Sequence, residues 1–94
     1  YRAIFMLLHT YRVRGYGDTI ATMIARYAPP TENNTEAYIS RVCRSTGIDR
    51  DTPLNTLSAE QMIPIVCAIS AVENGVEADV DIVTEGWRLF ISSL

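Results

Sequence analysis

Acidic side chains at the ends of predicted helices are the residues of this chain that could carry out acid–base chemistry. Hydrolysis of a glycosidic bond needs two carboxyl groups that converge on a cleft, one of them with a raised pKa. Glu73 ends the most apolar segment, and Glu32 and Glu36 lie beside a double proline. Acids at such positions also cap helices or pair with arginines. We keep Glu73 and Glu32 as candidate general acids but prefer the structural interpretation, so enzyme activity is the less favoured expectation.

The other reactive side chains do not form a recognisable site. Cys43 and Cys67 fall at inward positions of predicted helices, where reduced, buried thiols are favoured over a disulfide. The single histidine, His9, is predicted on the outer face of the first helix, and there is no Cys-x-x-Cys pair. We therefore expect no metal site. Because no phosphate-binding glycine loop is present either, we expect no cofactor.

Aromatic side chains could stack against sugar rings. Four tyrosines and the tryptophan are candidates, although most of them are better explained as residues at the edge of the core, with hydroxyl groups that reach water. The five residues are Tyr11, Tyr16, Tyr27, Tyr38 and Trp87.

Charge is unevenly distributed along the chain, and every basic residue is an arginine. The first 50 residues hold seven arginines and four acids, whereas the rest hold one arginine and seven acids, which gives the net charge of −3. A net acidic domain is a poor candidate for nucleic-acid binding. The asymmetry indicates two oppositely charged faces suited to head-to-tail assembly, or, as the preferred alternative, two halves that neutralise each other within the fold.

Five amphipathic segments must position these residues, and no segment alternates as a strand would. The most apolar segment opens with Ser58 as its cap, and apolar residues cover most of its circumference. The sequence therefore predicts an all-α bundle of five short helices around this central helix, as one domain over residues 1–94. The segments run from Tyr1 to Arg14, Thr19 to Tyr27, about Thr35 to Ser45, Ser58 to Asn74, and Asp79 to about Ser92.

A double proline marks the corner between the second and third helices. Pro29 and Pro30 exclude a continuing helix, so the second helix must end at Tyr27. Asn33 or Asn34 can then cap the third helix, with Glu36 three residues after Asn33 in an arrangement like a capping box.

No apolar run approaches the ~20 residues that cross a bilayer, and we expect no membrane insertion. Tyr1 is not an initiator methionine, and the first residues are typical of the middle of a helix. We therefore expect an excised domain or a processed product that lacks an upstream segment.

The corner and its flanks resemble a family of phage and prophage virion-associated structural proteins that is common in gut bacteria and their phages. That family shows an aromatic residue, Ala and two prolines, then Glu-Asn-Asn/Asp-Thr, then a helix that begins with Tyr-Ile. The matching stretch runs from Tyr27 through Glu32, Asn33, Asn34 and Thr35 to Tyr38-Ile39. Tyr27 stands where the family more often has tryptophan, and the family's upstream Asn-Pro-Gly-Asn turn is missing.

The resemblance implies a virion-associated structural or assembly module, located in the virion or the bacterial cytoplasm, whose partners are other virion proteins or further copies of itself. The motif makes five residues candidates for a binding site: Tyr27, Glu32, Asn33, Asn34 and Thr35.

The polar Glu-Asn corner of the family is also similar to lysozyme-like cell-wall hydrolases. The alternative interpretation is therefore a peptidoglycan-processing or cell-wall-binding domain at the cell envelope, of glycoside hydrolase or lytic transglycosylase type. We prefer the assembly module.

Overall fold

Five α-helices and their connections account for all 94 residues in the computed structural model, which describes residues 1–94 without a gap. The structure contains no strand. The predicted all-α bundle of five helices is confirmed. The helices are α1 (Arg2–Val13), α2 (Ile20–Tyr27), α3 (Thr35–Thr46), α4 (Ala59–Asn74) and α5 (Val80–Ser92).

Helix α4 lies at the centre of the bundle, where it packs against α1, α3 and α5. Its Met62, Val66 and Ile69 side chains are completely buried, as predicted for the central helix. Burial of such side chains contributes about 1.5–3 kcal/mol each relative to an exposed position. The core of the domain is therefore organised around α4.

Two hydrogen bonds fix the direction of α1 across the core from α4. The hydroxyl groups of Tyr1 and Ser70 lie 2.8 Å apart, and His9 at the other end of α1 lies 2.8 Å from Thr56, just before α4. The two helices are therefore antiparallel and face each other with their buried sides.

Helix α3 is also antiparallel to α4. Tyr38 in the first half of α3 bonds to Glu73 in the last turn of α4, while Ser45 near the end of α3 lines a groove with Pro64 and Cys67. One end of this helix pair is therefore polar and the other is apolar.

The proline corner forms as the sequence predicts, with two differences in detail. Helix α2 ends at Tyr27, and α3 starts at Thr35 with Asn34 as its N-cap. The alternative of Asn33 with a Glu36 capping box is wrong, because the Glu36 carboxylate instead accepts two hydrogen bonds from Arg50. A contact between residues 14 positions apart is not encoded in local capping rules.

The outward placement predicted for His9 is also wrong. His9 is half-buried, and its ring meets Phe90 edge-on at 5.7 Å. Its Nδ1 contacts the hydroxyl of Thr56, which is 1% exposed. The segment between α3 and α4 packs over this part of α1, and such tertiary contacts are not contained in helical periodicity.

Cys43 and Cys67 are both free and both half-buried. None of the five helices combines the length and the apolar character that a bilayer-crossing helix needs.

Candidate functional site

A shallow polar hollow of about 260 Å³ lies where the start of α3 meets the end of α4. The two helices position its side chains: Asn34 caps α3, and Asn34, Tyr38 and Arg41 follow at helical spacing along one face. Glu73 comes from the last turn of α4. The hollow is lined by Asn33, Asn34, Ala37, Tyr38, Arg41, Val72 and Glu73.

The hydrogen bond from Tyr38 to Glu73 fixes the carboxylate in this hollow. The Tyr38 hydroxyl donates to Glu73 Oε1 over 2.9 Å. The Tyr38 side chain is only 5% exposed, and its burial, the hydrogen bond and the charge of Glu73 together raise the pKa of the phenol well above its usual range. Tyr38 therefore stays protonated and acts as a permanent donor to Glu73.

Tyr27 lies behind this pair and belongs to the same group of side chains. Burial raises the pKa of the half-buried Tyr27 phenol, and the nearby charge of Glu73 and the phenol of Tyr11 raise that pKa further. Since Tyr38 also responds to Tyr27, the end of α2, the start of α3 and the end of α4 bring two tyrosines close to one carboxylate.

An arginine extends this group toward the solvent. The guanidinium of Arg26 lies 3.8 Å from the ring centroid of Tyr16 and 5.7 Å from that of Tyr11. This geometry is that of a cation–π contact. The half-exposed Tyr16 ring is thereby held against the end of α2.

The side chains of the two asparagines of the motif each form a hydrogen bond with the backbone. Asn34 accepts a hydrogen bond from the amide of Ala37 over 3.2 Å, which leaves its side-chain amide nitrogen free. Asn33 donates to the carbonyl of Pro29 over 3.4 Å, a long and weak contact. Both side chains are exposed and can bind a partner.

Thr35 has a structural position. Its buried hydroxyl donates to the carbonyl of Ala28 over 2.6 Å, and this bond ties the start of α3 to the end of α2. Glu32 is exposed in the loop and does not line the hollow. Of the site residues predicted from the sequence, the structure thus brings Asn33, Asn34 and Glu73 together, with Tyr27 behind them.

Sequence reasoning gave Arg41 no role in a site and named Tyr38 only as a sugar-stacking candidate, whereas both line the hollow. Their spacing from Asn34, four and seven residues, puts all three on one face of a helix, and this signal could have identified them. The contact with Glu73 could not have been found in the same way, because it depends on how α3 packs against α4.

The hollow can bind a polar group but does not offer paired carboxylates. It combines one carboxylate, the guanidinium of Arg41, which has no ion-pair partner, and side-chain amides. No group of three or more His, Cys, Asp or Glu side chains is placed to hold a metal ion.

The two halves of the chain are not joined by ion pairs. Arg50 pairs with Glu36, and Arg88 pairs with Glu85, so that each of the two ion pairs lies within one half. No ion pair in the fold therefore supports the preferred expectation, that the basic and acidic halves neutralise each other. Six arginines of the first half, namely Arg2, Arg12, Arg14, Arg26, Arg41 and Arg44, have no carboxylate within 4 Å.

Comparison with known proteins connects the chain with a phage. It is 40% identical over 74 residues to Protein P5 of Pseudoalteromonas phage PM2, a match that covers 79% of this chain and 44% of the relative. The chain thus spans less than half the length of this curated relative. No protein-family model and no solved structure matches it. The similarity to a phage protein supports the phage part of the predicted resemblance.

Proposed function

We propose that this domain is an assembly module of a phage particle, which binds other virion proteins or further copies of itself. The observation that carries this proposal is the set of opposite charges that the fold leaves unpaired between its two halves. Similarity to a phage protein over most of the chain supports the phage association in this proposal.

Unpaired charges of this kind suit a protein that must find a defined neighbour. Complementary charges speed up encounter and reject wrong partners more than they raise affinity. Arginine is well suited to this role because its planar guanidinium binds carboxylates in two-point contacts and is weakly hydrated. The domain uses arginine for all eight of its basic residues.

The polar hollow is the contact point that we assign to a virion protein. Tyrosine and arginine are enriched in protein interfaces, and here Tyr38, Arg41 and Glu73 stand together with two exposed asparagines. Arg41 offers a guanidinium without an internal partner, and Glu73 has one carboxylate oxygen outside its bond to Tyr38. An amide-bearing loop of a neighbour would satisfy both, because a side-chain amide accepts from a guanidinium and donates to a carboxylate.

The peptidoglycan-processing alternative draws less support from this geometry. A general acid in a glycosidase works with a second carboxylate in the same cleft. Glu73 is the one carboxylate of the hollow, and the second candidate, Glu32, does not line it.

The test is incorporation into particles of the phage or prophage that encodes the chain. We expect the protein in purified particles at a fixed ratio to the capsid protein, and released by about 1 M NaCl, where charges are screened within about 3 Å. Arg41→Ala should lower incorporation several-fold. Arg44→Ala, on the next turn of α3 and outside the hollow, is the matched control and should not.

Absence of the protein from purified particles would overturn the proposal. Clearing of a peptidoglycan suspension by the full-length protein, lost in Glu73→Gln, would instead establish the alternative.

A further inference from the structure

We infer that the outer face of α4 is a docking groove for α1 of a second copy of this chain. This inference rests on the proposed function and names one partner of the assembly module. The groove and the α1 surface lie on opposite sides of the molecule, so copies would join head to tail.

The groove runs along the side of α4 that faces away from the core. It has a volume of about 330 Å³ and is mainly apolar. Its floor is formed by Ile63, Pro64, Cys67 and Ala71 of α4, and one wall carries Val80, which is 57% exposed. A groove of this kind suits the apolar face of a helix.

Acidic residues lie at both ends of this groove. Glu60 is four residues before Pro64, so it lies on the same helix face, in the first turn of α4. Glu77 lines the groove from the segment after the last turn. Both carboxylates are exposed and neither has an ion-pair partner.

The outer face of α1 carries the complementary pattern. Leu7 and Val13 are 38% and 66% exposed, although each is a large apolar side chain. Arg2 at the start of the helix and Arg14 at its end are exposed and unpaired. This helix therefore presents apolar residues between two arginines, as the groove presents apolar residues between two acids.

Helix α1 fits within the length of α4. Helix α1 has 12 residues and α4 has 16, about 18 and 24 Å at the rise of an α-helix. Charge alone does not select a direction, because both ends of the groove are acidic. The helix dipoles favour an antiparallel arrangement, which places Arg14 on Glu60 and points the long side chain of Arg2 toward Glu77.

The helix α1 of one copy cannot occupy the groove on α4 of the same copy. The buried sides of α1 and α4 face each other across the core, as the contacts of Tyr1 with Ser70 and of His9 with Thr56 show. Their outer faces therefore point in opposite directions. A joined pair leaves one groove and one α1 face free, so this contact builds open chains or rings rather than closed dimers.

Charge reversal with matched controls tests this inference in the 94-residue chain. Light scattering coupled to size-exclusion chromatography at low salt should show concentration-dependent association. The protein concentration extends up to about 1 mM, because a contact smaller than the roughly 1,200 Å² of a standard interface is expected to be weak. Arg14→Glu and Glu60→Arg should each weaken association about tenfold, the factor for loss of one charge pair worth about 1.4 kcal/mol.

Two controls carry the same charge changes outside the proposed contact. Arg44→Glu changes an exposed, unpaired arginine in the last turn of α3. Asp51→Arg changes an exposed, unpaired acid of the segment between α3 and α4, which lines neither the groove nor the pocket beside Arg2. Both should leave association within about twofold of the original chain, a change of about 0.4 kcal/mol. Circular dichroism of each variant confirms that the helices are retained.

The decisive variant is the charge swap. Arg14→Glu combined with Glu60→Arg restores a complementary pair and should recover most of the lost association, whereas Arg14→Glu combined with Asp51→Arg should not. Recovery in both double variants would show a general charge effect and would overturn the inference.

Cross-linking supplies a readout that does not depend on charge. In a Cys43→Ser background, Leu7→Cys, which faces Cys67 when Arg14 lies on Glu60, should form a disulfide with Cys67 of another copy under mild oxidation and give a ladder on a denaturing gel. The ladder should end at dimers when Cys67→Ser is added. A chain that stays monomeric at all concentrations, while it is still found in phage particles, overturns this inference and leaves the proposed function intact.

Discussion

At the scale of single residues, the contact between Tyr38 and Glu73 defines the polar hollow. A buried phenol whose pKa is raised by its surroundings donates to a carboxylate at the surface. The pair links α3 to α4 and also fixes the orientation of the one acid in the hollow. Loss of this hydrogen bond should therefore lower both the stability of the domain and its affinity for a partner.

Tyr38→Phe should lower the free energy of unfolding by about 0.5–1.5 kcal/mol, because it removes one hydrogen bond and preserves the ring. Urea denaturation followed by circular dichroism measures this change. Tyr16→Phe is the control, since the half-exposed Tyr16 hydroxyl makes no hydrogen bond, and its stability should be unchanged. Equal stability of both variants would mean that the Tyr38 bond contributes nothing.

Alkaline pH should destabilise the domain through the same tyrosines. The pKa values of Tyr27 and Tyr38 are raised in the folded state, so the unfolded chain loses these protons first. The stabilisation is fully present below about pH 10, the ordinary pKa of tyrosine, and declines above it. Urea midpoints at a series of pH values should show this decline, and Tyr38→Phe should show a shallower one.

At the scale of elements, the ends of the helices were largely predictable. Helix α2 ends at the double proline, α3 has its cap at Asn34, and Ser58 accepts from the amide of Gln61 at the start of α4. Prolines and caps act within a few residues of their own position. The sequence therefore contains the five helices and their order.

The contacts between elements were not predictable in this way. The half-burial of His9 and the pairing of Glu36 with Arg50 depend on how the segment between α3 and α4 lies against its neighbours. The hollow was predicted in part, because Asn33 and Asn34 belong to one local motif. Its link to Glu73 arises only from the antiparallel packing of α3 on α4.

Thr35→Val should test the joint between α2 and α3. Valine has the shape of threonine but leaves the buried carbonyl of Ala28 without its 2.6 Å hydrogen bond, at a cost of about 1–3 kcal/mol. Thermal unfolding should show a clearly lower midpoint. Thr84→Val, at an exposed position of α5, should show almost none. Similar shifts in both variants would mean that the loss does not come from the bond to Ala28, since threonine and valine have similar helix propensities.

At the scale of the whole molecule, the charges of the two halves of the chain are not paired with each other. The basic first half and the acidic second half are folded onto one core, yet the two ion pairs stay within their own halves. The domain measures 33 × 31 × 23 Å, larger than the Debye length of about 8 Å at physiological salt. A neighbouring molecule therefore senses mainly the charges close to its own contact point.

Salt should weaken self-association accordingly. Raising NaCl from about 0.05 to about 0.5 M shortens the screening length severalfold, and the association measured by light scattering should fall with it. Sodium sulfate at equal ionic strength strengthens apolar burial and should weaken association less. Association that strengthens with NaCl would indicate an apolar contact without a charge contribution.

The thiol of Cys67 allows the occupancy of the groove along α4 to be measured inside an assembled particle. Burial raises the pKa of this thiol, so alkylation is slow, and a docked helix would shield it further. Cys43, the other free thiol, does not line the groove and provides an internal reference in the same molecule. The ratio of label on the two cysteines, measured by mass spectrometry on intact virions and on the dissociated protein, would report how many grooves are occupied.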